Sequence, residues 1–170
     1  MPRKSERESL ESAIAKTLEI VGDWWTLLIV RDALMGVKRF DEFHSHLGIA
    51  RNILSTRIRR LIDTGLMEKR LYVEHPARYE YILTPKGEDI FTILVAVREW
   101  GERWYYGGDD LPSRVTHLDC GGETDTAVRC KSCGEVISSM AVLDIQFQPG
   151  GDGSEWSFWH GRLKDFTRSN

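Results

Sequence analysis

The chain has 170 residues, of which 41% are hydrophobic and 29% charged, with a formal net charge of −3. These values suit one globular domain with a small appendage, and they exclude a low-complexity chain or a protein that holds polyanions through bulk charge. No apolar run approaches the roughly 20 residues of a membrane helix, and MPRKSERESLES carries no apolar stretch after its basic residues. A cytoplasmic, nucleoid-associated protein with reduced thiols and no membrane partner is therefore expected.

Residues 1–8 read as a flexible arm. Leu10, Ile14, Leu18 and Val21 then recur at helical spacing over residues 9–21, and Gly22 ends that helix. Asp23 caps a second helix, Trp24 to Leu34. Apart from Arg31 and Asp32 it is apolar on nearly all sides, the pattern of a helix at the centre of a domain, and Gly36 stops it. Phe40, Phe43 and Leu47 mark a short third helix, and Gly48 supplies the reversal of a helix-turn-helix. His44 and His46, beside Asp41 and Glu42, mimic a metal site but read better as polar groups near DNA.

The fourth helix is expected over residues 51–64, with Leu54, Ile58, Leu61 and Ile62 facing inward. That geometry turns Arg51, Asn52, Ser55, Thr56, Arg59 and Asp63 outward and sets Arg57 and Arg60 on the flanks. A face that is merely solvated would pair Glu with Lys, whereas this one is nearly all donor. The basic residues from Arg51 to Arg70 face only Asp63 and Glu68, so a local patch exists on an acidic chain. Phosphate contacts act at short range, and salt-sensitive binding follows.

Residues 67–73 and 79–83 read as two strands, with Leu71, Val73, Tyr79, Tyr81 and Leu83 suited to an inner face. His75 and Pro76 sit in the loop over residues 74–78, and Arg78 stands where a wing meets DNA. Thr84 caps the next helix and Pro85 opens it. Its stripe of Ile90, Ile93, Leu94, Val97, Trp100 and Trp104 is broader than a small domain needs. Either the stripe covers the monomer's own core, or a second subunit covers it together with the first helix. A two-fold homodimer would offer two reading helices to a palindromic operator about one DNA turn apart. Trp24, Trp25, Trp100 and Trp104 could line a pocket there, though core packing suits them better.

Three segments carry a resemblance: AIAKTLEIVGDWWTLLIVRDALMG, KRFDEFHSHLGIARNILSTRIRRLIDTGLMEKRLY, and PARYEYILTPKG with VREWGERW. Over roughly residues 12–104 the chain resembles the HxlR-type winged helix-turn-helix regulators of the MarR-like group. The resemblance implies a mainly α fold with a small β wing (α+β) over residues 9–106, and dimeric DNA binding through the fourth helix and wing. It also implies transcriptional control answering a small-molecule or redox effector. Two positions depart from the family. Ser12 stands where many relatives carry a sensing cysteine, so thiol sensing at that site does not carry over. Ala50 and Arg51 replace a frequent Ser-Pro pair, and the lost capping hydroxyl costs about 0.5 to 2 kcal/mol of helix-end stabilisation. The candidate DNA-binding residues are Lys38, Arg39, Arg51, Asn52, Ser55, Thr56, Arg57, Arg59, Arg60, His75 and Arg78.

All three cysteines lie past this region, as His117-x-x-Cys120 and Cys130-x-x-Cys133. Two short turns with two ligands each make a Cys3His set for structural Zn2+, which predicts a zinc-ribbon-like β module over residues 107–148. The competing reading is a dithiol switch of Cys130 and Cys133 with Cys120 as resolving partner, but Glu135 to Ile145 looks strand-like where a reactive CxxC wants a helix. Residues 149–170 form a tail in which Trp156, Phe158, Trp159 and Phe166 seek cover, and His160 is a spare imidazole. No Gly-rich phosphate loop, HExxH or GxSxG motif is present, so an enzyme is not expected. The expected function is a sequence-specific, double-stranded-DNA-binding transcriptional regulator acting as a homodimer. The alternatives are a zinc-ribbon protein-interaction module and a redox-sensing regulator that uses the C-terminal cysteines.

Overall fold

Glycines and caps divide the chain where the sequence pattern places them. The computed structural model describes residues 13–106, 111 and 114–137, in two compact units, Met1–Asp125 and Thr126–Asn170. In the first, helices α1 (Ala13–Val21), α2 (Trp24–Leu34), α3 (Phe40–Leu47) and α4 (Arg51–Asp63) precede an antiparallel hairpin, β1 (Met67–Val73) and β2 (Arg78–Leu83). A single turn, α5 (Pro85–Glu88), then leads into α6 (Ile90–Gly101) and a π-helical turn over Glu102–Tyr106. This is the expected mix of helices with a two-stranded wing. The expected arm over residues 1–8 and the start of the first helix at residues 9–12 lie outside the described residues, as does the aromatic tail over 149–170.

One apolar cluster organises the first unit. Ile29 and Val30 of α2, Phe43 of α3, Ile49 of the turn, and Leu54, Ile58 and Leu61 of α4 are buried together with Val21, Leu66 and Met67. Each such side chain contributes on the order of 1.5 to 3 kcal/mol on burial. Gly48 ends α3 at φ 62°, a left-handed conformation that lets α4 cross back over α2 without a Cβ penalty.

The central position of α2 explains its two charged residues. Asp32 is fully buried, yet its carboxylate accepts from Arg31 Nε at 2.9 Å and Nη2 at 2.8 Å, and meets His46 Nδ1 at 2.7 Å. A buried carboxylate needs such partners. His46 is therefore not only a polar group near DNA, as its helical position suggested, but a tie between α3 and α2.

The wing differs from the sequence reading in detail. Arg78 already belongs to β2, paired with Val73, so the connection is shorter than residues 74–78. Leu71 and Tyr79 face each other across the hairpin but are 46% and 38% exposed, because the wing projects beyond the core that Tyr81 and Leu83 reach. A further element escaped the pattern. Arg39 bridges to Glu80, and Tyr81 N donates to Lys38 O at 2.8 Å, so the segment entering α3 lies along β2 as a minimal third strand.

The last helix is not continuous from Pro85. Thr84 caps α5 through its Oγ1, which accepts from Gly87 N at 3.3 Å, and α6 starts after Asp89. Trp104 lies in the π-helical turn instead of extending the α-helical stripe. Gly87 is buried so closely against the chain that an added Cβ would sit 2.1 Å from Leu66 O. Gly87→Ala should accordingly lose about 1 to 3 kcal/mol of unfolding free energy through overpacking, read as a lower urea midpoint at unchanged slope. An unchanged midpoint would mean that this contact gives way freely.

Candidate nucleic-acid interface and cysteine turns

α4 is held to the core by Leu54, Ile58 and Leu61, which recur at four- and three-residue spacing, and this fixes what the other side presents. Arg51, Asn52, Ser55, Thr56 and Arg59 are exposed there, as their positions predict. Thr56 Oγ1 donates back to Asn52 O at 2.9 Å, and Arg51 Nη2 meets Asp41 Oδ1 at 2.8 Å with its guanidinium 5.7 Å from the Phe40 ring. Ala50 gives no side-chain cap, in keeping with the hydroxyl missing from its position. Arg59 makes no ion pair among the described residues.

Arg57 and Arg60 point elsewhere. Arg57 Nη2 pairs with Asp23 Oδ2 at 2.8 Å, and its side chain is only 26% exposed. Arg60 donates to the backbone oxygen of Glu19 at the end of α1. The sequence grouped both with the DNA contacts. In the structure both also tie α4 to the corner between α1 and α2, and no local pattern carries that information because the partners lie far away along the chain.

The remaining candidates flank α4 in sequence. Lys38 and Arg39 sit on the strand-like segment before α3, both exposed. The Arg39 guanidinium lies 3.8 Å from Glu42, 3.9 Å from Glu80 and 4.9 Å from the Tyr72 ring centre. Glu80 also takes Arg70 at 3.2 Å. His75 lies in the hairpin connection, and Arg78 opens β2, both exposed.

A second surface lies on the same unit. Ile14, Leu18, Trp24 and Val97 are 72%, 58%, 63% and 53% exposed, and they line an open apolar groove of about 520 Å³ formed by α1, α2 and α6. Trp100 and Trp104 are also more than half exposed. Of the stripe read from the sequence, Ile90 and Leu94 pack on the core, whereas Ile93, Val97, Trp100 and Trp104 do not. Trp25 is partly buried and Trp24 is not, with ring centroids 4.1 Å apart.

The candidate metal ligands form two pairs. His117 Nδ1 lies 3.4 Å from Cys120 Sγ, which also accepts from Gly122 N at 3.4 Å. In the second unit the backbone N–H groups of Cys133 and Ser132 point at the Cys130 sulfur and hold its thiol below the usual range, helped by the Cys133 side chain. Among the described residues, no three or more His, Cys, Asp or Glu side chains are gathered into one metal-holding group. Of the strand-like stretch from Glu135, only a bridge between Arg129 and Val136 is described, and residues 138–148 lie outside the described residues.

A buried core, a helix-turn-helix with a donor-rich second helix and an adjoining hairpin are the parts of a DNA-reading domain. The HxlR-like helix-turn-helix family matches over residues 20–108, which is more than half of the chain. The chain belongs to that family. An HTH-type transcriptional regulator of Mycobacterium tuberculosis is 38% identical over 130 residues, covering 76% of this chain and 82% of that relative. The crystal structure of PA1607, described as a candidate transcription factor, superposes with a TM-score of 0.75 at 34% identity over 84% of this chain and 99% of its own. The reduced form of the redox regulator HypR matches with a TM-score of 0.52 at 28% identity, over 58% of this chain and 100% of its own. This HxlR-like protein is thus a DNA-binding transcriptional regulator of the helix-turn-helix type, in a family of regulators and not of enzymes. No described helix is long and apolar enough to cross a membrane.

Asp23 serves the HxlR-like domain twice, capping α2 by accepting from Trp25 N at 3.1 Å and holding Arg57. Asp23→Asn keeps a capping oxygen but removes the charge, whereas Asp23→Ala removes both. The alanine variant should be the less stable of the two by about 1 kcal/mol, and Arg57→Ala should cost less in the Asp23→Asn background than in the native chain. A double-mutant cycle by denaturant unfolding checks this, and strictly additive losses would show that the pair is uncoupled.

Proposed function

We propose that this regulator is a homodimer that lays α4 in the major groove of a palindromic operator, with the β1–β2 wing on the adjacent backbone or minor groove. The observation that carries the reading is the one-sided exposure of α4. Its inner stripe is buried, and Arg51, Asn52, Ser55, Thr56 and Arg59 stand together on the outer one. Arginine and asparagine side chains make bidentate bonds to guanine and adenine edges, while serine, threonine and the remaining cations suit either bases or phosphates. Arg51 is already oriented by Asp41, so it is poised at the first turn of the helix. Lys38, Arg39, His75 and Arg78 border this surface as backbone contacts, and Arg57 and Arg60 position α4 through the α1–α2 corner. As an operator-binding protein it would work in the cytoplasm on nucleoid DNA.

The dimer reading is supported by the apolar groove and by the exposed side chains of Ile14, Leu18, Val97 and Trp100. Contiguous apolar surface of this kind marks an association site more often than free surface. A two-fold axis through α1 and α6 would give each copy the same cover and leave α4 of both copies free.

Two measurements test these parts separately. Arg59→Ala should weaken binding to promoter DNA of the protein's own operon by about 1 to 3 kcal/mol in a gel-shift titration, with unchanged unfolding midpoint, while Arg78→Ala should flatten the salt dependence by about one unit. Failure of the native protein to bind such fragments at low salt would refute the operator reading. Val97→Asp should turn the native dimer into a monomer in sedimentation equilibrium, and a native protein that sediments as a monomer would end the dimer reading whatever the DNA result.

A further inference from the structure

A carboxylate lies under the wing, on an element whose work with a polyanion gives it no use for negative charge. Glu80 of β2 stands directly across the ladder from Arg70 of β1, so the two side chains share a face of the hairpin. Arg39, on the segment that enters α3, bridges to Glu80 along the other edge of β2 and reaches the same face. Glu80 Oε2 accepts from Arg70 Nη2 at 3.2 Å, and its Oε1 lies 3.9 Å from Arg39 Nε. The Glu80 side chain is 16% exposed, against 53% for Arg39 and 58% for Arg70. The acid is largely covered, and both of its cations stay open to solvent.

An ion pair that only braced the hairpin would need one cation, from β1. Glu80 holds a second from the opposite edge of its strand, and that one is fixed further. The Arg39 guanidinium lies 4.9 Å from the Tyr72 ring centre and 3.8 Å from Glu42, whose other oxygen accepts from Lys38 N at 3.3 Å and Arg39 N at 3.0 Å. Arg70 spends only Nη2 on Glu80, so the rest of its planar fork is available to another acceptor. Arg78, two residues before Glu80 on β2, is exposed on the same face, whereas Glu68 of β1 lies nearer the base of the hairpin, across from Ile82. A long side chain loses rotamer freedom when it binds, and one already tethered by a carboxylate beneath it has less to lose.

We infer that Glu80 is the positioning residue of the wing and that Arg70 is a further phosphate contact: the covered carboxylate holds Arg39 and Arg70, one from each side of β2, with their free N–H groups toward the DNA backbone. The inference rests on the proposed placement of the wing on DNA. Guanidinium forks suit phosphate oxygens, and contacts of this kind fix the register of a protein on the duplex without reading sequence. Glu80 itself touches no nucleotide and acts through the two arginines. Its removal therefore has an unusual sign. Taking a negative charge from a DNA-binding face ordinarily strengthens binding, and here it weakens it.

The test uses the full chain and a mixed-sequence DNA duplex, because phosphate contacts need no operator, with binding followed by fluorescence anisotropy over a range of salt. Glu80→Gln keeps the size of the side chain and an amide oxygen but removes the charge, and it should raise Kd about three- to tenfold and flatten the salt slope by about one unit. Arg70→Lys keeps the charge but not the fork. It should weaken the native protein by a similar factor and add little in the Glu80→Gln background, since the two act as a unit. Urea midpoints report the fold of each variant, and Arg70→Lys carries the test if Glu80→Gln folds poorly. Equal or tighter binding by Glu80→Gln overturns the inference, as does weaker binding at an unchanged salt slope, or an Arg70→Lys variant that binds like the native chain. Each of these results leaves the DNA reading standing as long as the native protein binds the duplex. A native protein that ignores the duplex at low salt ends both.

Discussion

Leu54, Ile58 and Leu61 fasten α4 to the core along one stripe, and the face that α4 turns outward follows from that anchorage. A helix so held has no freedom to roll. Turning it by one residue would bury Ser55 or Arg59 and strip them of water, at a cost of several kcal/mol for the charged group. Arg57 to Asp23 and Arg60 to the Glu19 carbonyl secure the same helix from the side. Both partners lie in the corner between α1 and α2, beside Leu18, Val21, Gly22 and Trp24 of the apolar groove. The anchorage of α4 and the lining of that groove therefore involve neighbouring residues.

The wing is joined to the helix-turn-helix by backbone as well as by sequence. Because Tyr81 N donates to Lys38 O and Arg39 bridges to Glu80, the segment that enters α3 is part of the ladder of β2. Glu80 receives both Arg39 and Arg70, and Glu42 accepts from Arg39 N at 3.0 Å to start α3. These links tie the wing to the helices through both backbone and side chains. Asp32 does the corresponding work inside, where one buried carboxylate holds Arg31 of its own helix and His46 of the next.

Much of this was legible in the sequence, and the parts that were not have a common cause. Helices α1 to α4 announce themselves by period and by Gly22, Gly36, Gly48 and Gly65, because a helix end is a local event. The outward set on α4 likewise follows from helical geometry alone. Asp23 as a cap was readable from its position, but its hold on Arg57 was not, since nothing local joins residues so far apart. The same applies to the third-strand contact of Arg39 and to His46, whose partner sits on another helix. The interruption at Asp89 escaped because Thr84 and Pro85 signal a helix start equally well for one turn or for four. At the cysteines the sequence reveals donor spacing, whereas the backbone bonds that shape each turn appear only in the structure.

Ion pairing distinguishes the arginines around α4. Arg39, Arg51 and Arg70 each have a carboxylate from the same chain within reach, namely Glu42 or Glu80, Asp41 and Glu80. The pairs of Arg39 with Glu42 and of Arg51 with Asp41 are exposed on both sides and worth about 0 to 1 kcal/mol each, whereas Glu80, shared by Arg39 and Arg70, is only 16% exposed. Arg57 is different: it is less exposed, and its partner is the cap of α2. The arginines near α4 thus divide by their own exposure, 53% for Arg39, 62% for Arg51 and 58% for Arg70 against 26% for Arg57.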